Sequence, residues 1–226
     1  MNLTQAWSTP PAEPVMPVSG ELHLWLIDLD IPPENFERFL SADELDRAGR
    51  LVTSAGSRRF VTARGCLRSI LADYLETDAG SIGFRYGTAG KPEIAAPDSR
   101  LRFNLTHSGQ LALLALTRQC EIGVDMEPLK PLPNLMAIAG KIFGAEVHQT
   151  LAELDIALRT VRFLQLWTAH EAQAKCCGNS VFSHPDSTIP VVNFEPDAGW
   201  IGAVAIPQGV PEVSKWRTYR LSPADF

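Results

Sequence analysis

Asp125 and Glu127, in the segment Ile122-Gly-Val-Asp-Met-Glu127, are two carboxylates separated by a single residue. In a strand, alternation turns Ile122, Val124 and Met126 to one face and Gly123, Asp125 and Glu127 to the other. Two like charges on one face repel unless something positive lies between them, and a hard divalent cation such as Mg²⁺ is the simplest such thing. The alternative is a strand end emerging into solvent at Pro128. A second group lies in Phe163-Leu-Gln-Leu-Trp-Thr-Ala-His-Glu-Ala-Gln-Ala-Lys175, where Leu164, Trp167, Glu171 and Lys175 follow at offsets of 3, 4 and 4. Those offsets make one helical stripe, so an ionisable pair continues a face begun by Leu and Trp. The bland alternative is an exposed Glu–Lys pair worth ~0.3–0.5 kcal/mol. The third feature is a run from Arg47 to Arg68 with six arginines (47, 50, 58, 59, 64 and 68) and no acidic residue. It makes a local positive field suited to a phosphate-bearing ligand, unless it is a solvated helix face whose acids lie on neighbouring elements. His107, in Phe103-Asn-Leu-Thr-His-Ser-Gly109, falls in a polar turn between two strand-like runs, where a neutral loop histidine is the alternative. The adjacent Cys176-Cys177 pair lacks ligand spacing and reads as a structural helix end.

Secondary structure must position these groups. Leu22–Leu29 is a strand candidate, ended before Pro32-Pro33. From Ser54 to about Glu76 the spacing is helical, with Phe60, Leu67, Leu71 and Tyr74 near one stripe and Arg64 and Arg68 off it. Strand signals follow at Leu101–Leu105, Leu111–Thr117 and Glu121–Glu127. The stretch Leu111–Leu116 is apolar at every position, as expected of a strand covered on both faces. Pro128, Pro131 and Pro133 form a stiff connector to helical segments at about 134–156 and 159–177. Short strands near Val191–Phe194, Gly199–Ile206 and Trp216–Tyr219 close the chain. Residues 1–20, with four prolines and little periodicity, read as a loosely held arm. The order is that of a mixed α/β (α+β) chain that could be two similar halves, 21–118 and 119–226, although no internal repeat is visible in the residues.

Composition narrows the function. The 226 residues carry 20 Lys+Arg against 26 Asp+Glu, a net charge of −6, with 45% hydrophobic residues. This is globular rather than disordered composition, and the acidic balance argues against a nucleic-acid binder, which needs a broad basic face. No apolar run approaches the ~18 residues of a membrane span, and no basic-then-apolar leader is present at the N-terminus. Four cysteines without a CxxC pair suit a reducing cytoplasm.

Taken together, Gly90-Lys-Pro92, Phe103-Asn-Leu-Thr-His-Ser-Gly109, Ile122-Gly-Val-Asp-Met-Glu127 and Trp167-Thr-Ala-His-Glu-Ala-Gln-Ala-Lys175 resemble, in order and spacing, the 4'-phosphopantetheinyl transferases of the surfactin-synthetase type. The resemblance implies two similar α/β halves in one chain, a pseudo-dimer with the active site between them, acting as a monomer. It implies Mg²⁺-dependent transfer of the phosphopantetheine arm of coenzyme A to a serine of an apo acyl or peptidyl carrier protein, as in fatty acid, polyketide or nonribosomal peptide synthases, with release of adenosine 3',5'-bisphosphate. By the same resemblance Asp125, Glu127 and Glu171 would be the metal carboxylates. Lys175 would neutralise the pyrophosphate, and Arg47, Arg59, Lys91 and His107 would hold the phosphates and nucleotide. Glu171 or a water on the cation would take the serine proton. The chain departs from the family pattern at His170, where a lysine usually precedes the helix glutamate. It departs again after Lys175, where a second glycine is missing, and at Glu44, where some relatives carry a lysine. The competing expectations are a Mg²⁺-dependent phosphohydrolase and a non-catalytic coenzyme A or carrier-protein binding module.

Overall fold

The computed structural model describes residues 1–4, 6–96, 99–180 and 187–225. Strand β1 (Leu22–Asp28) leads through two short 3-10 turns into helices α1 (Ala42–Gly49) and α2 (Ser54–Leu75). A small hairpin, β2 (Phe84–Tyr86) and β3 (Pro92–Ile94), precedes β4 (Leu101–Ser108), β5 (Leu111–Arg118) and β6 (Gly123–Pro128). Helices α3 (Leu135–Ala152) and α4 (Ile156–Cys176) come next, then β7 (Val191–Phe194), β8 (Trp200–Ala205) and β9 (Trp216–Leu221). One sheet has the order β4-β5-β1-β9 and another β6-β8-β7. No helix among the described residues is long and apolar enough to cross a membrane.

The layering follows from alternation. Leu22, Leu24 and Leu26 of β1 and Leu111, Leu113 and Ala115 of β5 meet Val124 and Met126 of β6, and Ile122 just before it, in one core shared by the two sheets. The opposite faces, Trp25, Ile27, Ala112, Leu114 and Leu116, pack with Cys66, Leu67, Ile70 and Leu71 of α2 in another. That is why β5 is apolar from Leu111 to Leu116: each face feeds a different core. On the outer side of the second sheet, Ala172 and Cys176 of α4 pack on Ala203 and Ala205. The order through the molecule is therefore α2, first sheet, second sheet, α4.

Two segments differ from their reading in the sequence. The start of the segment 1–20 is not loosely held. Leu3 is buried, Asn2 bridges to Glu195 and Ser8 to Tyr219, and the Trp7 indole donates to the Pro196 carbonyl at 2.7 Å. The missed signal is the apolar pair Leu3 and Trp7, which has no partner within the arm. The helix expected over 134–156 is broken at Gly144, whose backbone takes φ 83° and ψ −177°, and ends at Ala152.

The arginine run also divides in two. Arg64 and Arg68 do not face solvent. They are buried around Glu44 of α1, which is 2% exposed. Glu44 accepts from the Arg64 Nε at 2.8 Å and the Arg68 Nε at 2.7 Å, and its Oε2 also accepts the Ser41 backbone N–H at 3.0 Å. The Phe84 ring of β2 covers both guanidinium groups at 4.9 and 5.0 Å. Glu44 thus serves the interior, not an external phosphate. Glu44→Ala should cost about 3–5 kcal/mol in urea unfolding, because it strands two buried cations. Replacing all three residues by apolar ones of similar volume should recover most of that loss.

Candidate active site

The polar face of β6 meets α4. Gly123 makes this approach possible: a Cβ placed there would lie 1.9 Å from the Ala172 carbonyl oxygen and 2.4 Å from the Cys176 nitrogen. Both are backbone atoms of the helix, which cannot yield as a flexible side chain would. Gly123→Ala should therefore push α4 off the sheet, lowering the thermal midpoint and, because Glu171 and Lys175 travel with the helix, turnover as well. A normal midpoint would show that the helix can retreat without cost.

With the helix at this distance, Lys175 reaches across to β6. Its Nζ lies 2.6 Å from Asp125 Oδ1, 3.1 Å from Thr106 Oγ1 on β4 and 3.2 Å from Glu171 Oε2. Asp125, expected to face solvent or metal, is 2% exposed. Its Oδ1 also accepts from the Thr106 hydroxyl at 3.0 Å, while its Oδ2 is buried with no hydrogen-bond partner. Glu127, at the more open end of β6, accepts from Ser108 Oγ at 2.7 Å. The Glu171–Lys175 pair is therefore part of an enclosed charge cluster and not an isolated surface bridge.

The electrostatics of the cluster are short of positive charge. Burial, then the Asp125 charge, holds the Glu171 carboxyl above the ordinary carboxylate range, against the opposing pull of Lys175. Burial raises Glu127 as well, with Asp125 adding to it and the Ser108 hydrogen bond opposing. Burial alone would depress Lys175, but Asp125 and Glu171 outweigh it and hold the ammonium above its usual value. Asp125 and Glu171 share the Lys175 ammonium, Glu127 feels weaker pulls from Lys175 and Lys130, and among the described residues the buried Asp125 Oδ2 has no hydrogen-bond partner. No group of three or more His, Cys, Asp or Glu side chains among the described residues is close enough to hold a metal ion unaided. Asp125 and Glu171 are instead bridged by the Lys175 ammonium, which lies within bonding distance of both. An unpartnered buried carboxylate oxygen beside two glutamates with raised pKa values nevertheless fits an added hard cation in donor type and in charge.

His107 is not in a turn. It is the penultimate residue of β4, paired with Ala112, and the turn is Gly109-Gln110. Its ring is open to solvent on one side, yet partial loss of water, then the charges of Lys175 and Arg47, keep the imidazole below its usual value. Arg47 thereby belongs to the same electrostatic neighbourhood, its guanidinium 5.4 Å from the Phe60 ring centre. Arg59, on α2, lies 3.8 Å from Asp30. Lys91 is buried, and its amine is already engaged, donating to Glu121 Oε2 at 3.0 Å and to the Ile122 carbonyl at 2.9 Å. Its side chain ties the β2–β3 hairpin to the start of β6 and does not point into open space. The structure thus brings Asp125, Glu171 and Lys175 into contact, with Glu127 further along β6 and His107 within the influence of the Lys175 and Arg47 charges, and it engages Lys91 elsewhere.

The comparisons bear on what this cluster is for. A family model described as the 4'-phosphopantetheinyl transferase superfamily matches residues 121–220, which include β6 and α4. The 4'-phosphopantetheinyl transferase HetI of Nostoc sp. is 36% identical over 184 residues, covering 79% of this chain and 78% of the relative. The chain belongs to the 4'-phosphopantetheinyl transferase superfamily. Two further relatives are more distant. The 4'-phosphopantetheinyl transferase AcpT of Salmonella typhi is 34% identical over 107 residues, covering 46% of this chain and 55% of its own. The enzyme psf-1 of Bacillus pumilus is 28% identical over 148 residues, with 66% and 62% covered.

The departures from the transferase pattern have local explanations. His170 is buried between Phe143 and Trp167, with ring centres at 5.6 and 6.2 Å, and belongs to helix packing. Cys176 is buried at the end of α4, where burial pushes its thiol up to about 12, so it remains a neutral packing group. Three polar residues of the site were not singled out in the sequence: Asn104, Thr106 and Ser108. Their signal is period-two alternation with Phe103 and Leu105, which continues the expected strand Leu101–Leu105 through Thr106 and Ser108, where a turn is expected.

Proposed function

We propose that this transferase moves the 4'-phosphopantetheine group of coenzyme A onto a serine of an apo carrier protein, as a member of the surfactin-synthetase type. The observation that carries the reading is the enclosed cluster of Lys175, Asp125 and Glu171, with an unpartnered Asp125 oxygen, assembled from two elements beside His107. The serine oxygen attacks the phosphorus that bears the pantetheine arm, and the bond from that phosphorus to the bridging oxygen breaks. The departing phosphate leaves as adenosine 3',5'-bisphosphate, and the serine proton passes to Glu171, whose raised pKa suits it as acceptor. Lys175, held protonated by its two carboxylates, faces the phosphate on which negative charge grows. Asp125, Glu127 and Glu171 would hold the Mg²⁺, which, when bound, withdraws charge from the pyrophosphate. His107 and Arg47 bind phosphate oxygens, with Arg59 further along the nucleotide. Lys91 keeps its place in the scheme as the buried tie beneath the phosphate site, not as a phosphate ligand.

In the same reading, residues 21–118 and 119–226 are two related halves acting as a monomer in the cytoplasm, with β9 of the second half inserted beside β1 of the first and with Asn2, Trp7 and Ser8 tied to the second half. Carriers of fatty acid, polyketide and nonribosomal peptide synthesis are all within the substrate class. Mass spectrometry of an apo carrier protein after incubation with coenzyme A and Mg²⁺ tests the proposal. A covalent phosphopantetheine adduct is expected. Hydrolysed coenzyme A with an unmodified carrier would select a phosphohydrolase, and no change in either a binding module.

A further inference from the structure

β4 and β6 are edge strands of different sheets, and no backbone ladder joins them. What joins them is a row of side chains. Odd-numbered residues of β4, Leu101, Phe103 and Leu105, enter the core beneath α2. Even-numbered residues face β6, as period-two alternation requires. On that face Asn104 Oδ1 accepts from the Val124 backbone N–H at 2.8 Å, the Thr106 hydroxyl donates to Asp125 at 3.0 Å, and the Ser108 hydroxyl donates to Glu127 at 2.7 Å. The three bonds follow one another along both strands, at every second residue of β4 (104, 106 and 108) and at 124, 125 and 127 of β6. The first fixes the backbone of β6, and the next two fix its carboxylates. Asn104 and Thr106 are buried, where an unmet polar group would be costly, so the row is strongly specified.

We propose that Thr106 and Ser108 are positioning residues of the transfer reaction, holding the Asp125 and Glu127 carboxylates in the orientation that binds the cation. The proposal rests on the assignment of Asp125 and Glu127 as cation ligands made above, and adds how they are aimed. A ligand oxygen tied by a hydroxyl has one rotamer to offer, and an untied one must be ordered when the cation arrives. Partners of this kind are worth 10- to 100-fold in metal affinity in typical sites, so about 10-fold is expected here. Thr106 has a second duty. It also accepts from Lys175 at 3.1 Å, so one hydroxyl sets the spacing between the lysine and Asp125.

The test uses the full chain saturated with coenzyme A and without carrier protein, into which Mg²⁺ is titrated calorimetrically. Ser108→Ala and Thr106→Val are close in volume to the native residues. Both should keep coenzyme A affinity in chelator and a near-native thermal midpoint, yet bind Mg²⁺ about 10-fold more weakly. Ser108→Thr and Thr106→Ser, which restore a hydroxyl, should recover most of the loss. Wild-type Mg²⁺ affinity in Ser108→Ala and Thr106→Val would overturn the proposal, as would failure of the hydroxyl-bearing variants to recover. Glu127→Gln in the same titration separates the two levels. If it binds Mg²⁺ like wild type, the ligand assignment falls and the proposal with it. If it binds poorly while the hydroxyl variants bind normally, the positioning role alone is wrong.

Discussion

Glu171→Gln should lower turnover on an apo carrier protein by at least ~100-fold, the lower range for removing a general base. The substitution keeps the shape of the side chain and one hydrogen-bonding oxygen toward Lys175, 3.2 Å away, so the helix and its contacts persist. What disappears is the charge and the capacity to take a proton. Lys175→Ala removes the opposite partner and should act differently. It withdraws a cation from the face where charge grows on the leaving phosphate, depressing turnover more than Mg²⁺ binding. Steady-state kinetics with carrier and coenzyme A varied separately would resolve the two. Near-normal turnover in Glu171→Gln would remove the basis for the site, because no other carboxylate shares that stripe with Trp167 and Lys175.

Asp125→Ala should be more damaging still, on the order of 10³-fold in turnover, if Asp125 anchors the cation that withdraws several kcal/mol of transition-state charge. From the sequence alone, its removal would cost the fold little. The structure alters that expectation. Asp125 is buried and receives both Lys175 and Thr106, so the alanine variant should also unfold more easily in metal-free buffer, by less than the ~3–5 kcal/mol of a fully broken buried pair because Lys175 retains Glu171. The glutamates carry a separate signature. Glu127 and Glu171 both lie above their ordinary values, through burial first. The folded chain therefore holds protons that the unfolded chain releases. Their stabilising contribution is complete below the ordinary carboxylate range and is lost as pH rises through the raised folded values. Saturating Mg²⁺ should flatten that loss, and thermal midpoints across pH with and without the cation would read it directly.

Much of this site could be read from spacing because its parts obey short-range rules. Alternation in Ile122–Glu127 separated the core face from the polar face, and offsets of 3 and 4 put Glu171 and Lys175 on one side of α4. What spacing could not supply was the distance between these elements, which depends on Gly123 lying against α4. Nor could it show that Glu44, twenty residues before Arg64, turns inward to meet two arginines. Charge sums along a chain cannot distinguish a cation awaiting a ligand from one already satisfied in the interior. Lys91 illustrates the same limit: its amine is engaged by Glu121 and Ile122, some thirty residues away. His107 was misplaced for a different reason. Polar residues at alternate positions of a strand resemble a turn when their partners lie on another sheet.

The pairing of β9 with β1 has a bearing on how the chain is made. Leu22 lies beside Trp216 in a parallel register, a contact between residues roughly 190 positions apart in the chain. Closing a loop of that length costs about 4–5 kcal/mol of chain entropy, and nothing repays it until the last strand exists. During synthesis, then, β1 waits with one edge bare while the roughly 190 intervening residues emerge, its other edge paired with β5. A bare apolar strand edge invites pairing with another chain. A nascent chain stalled before Trp216 should therefore be captured by chaperones or aggregate, while emergence of β9 seals this edge of β1 in a single step.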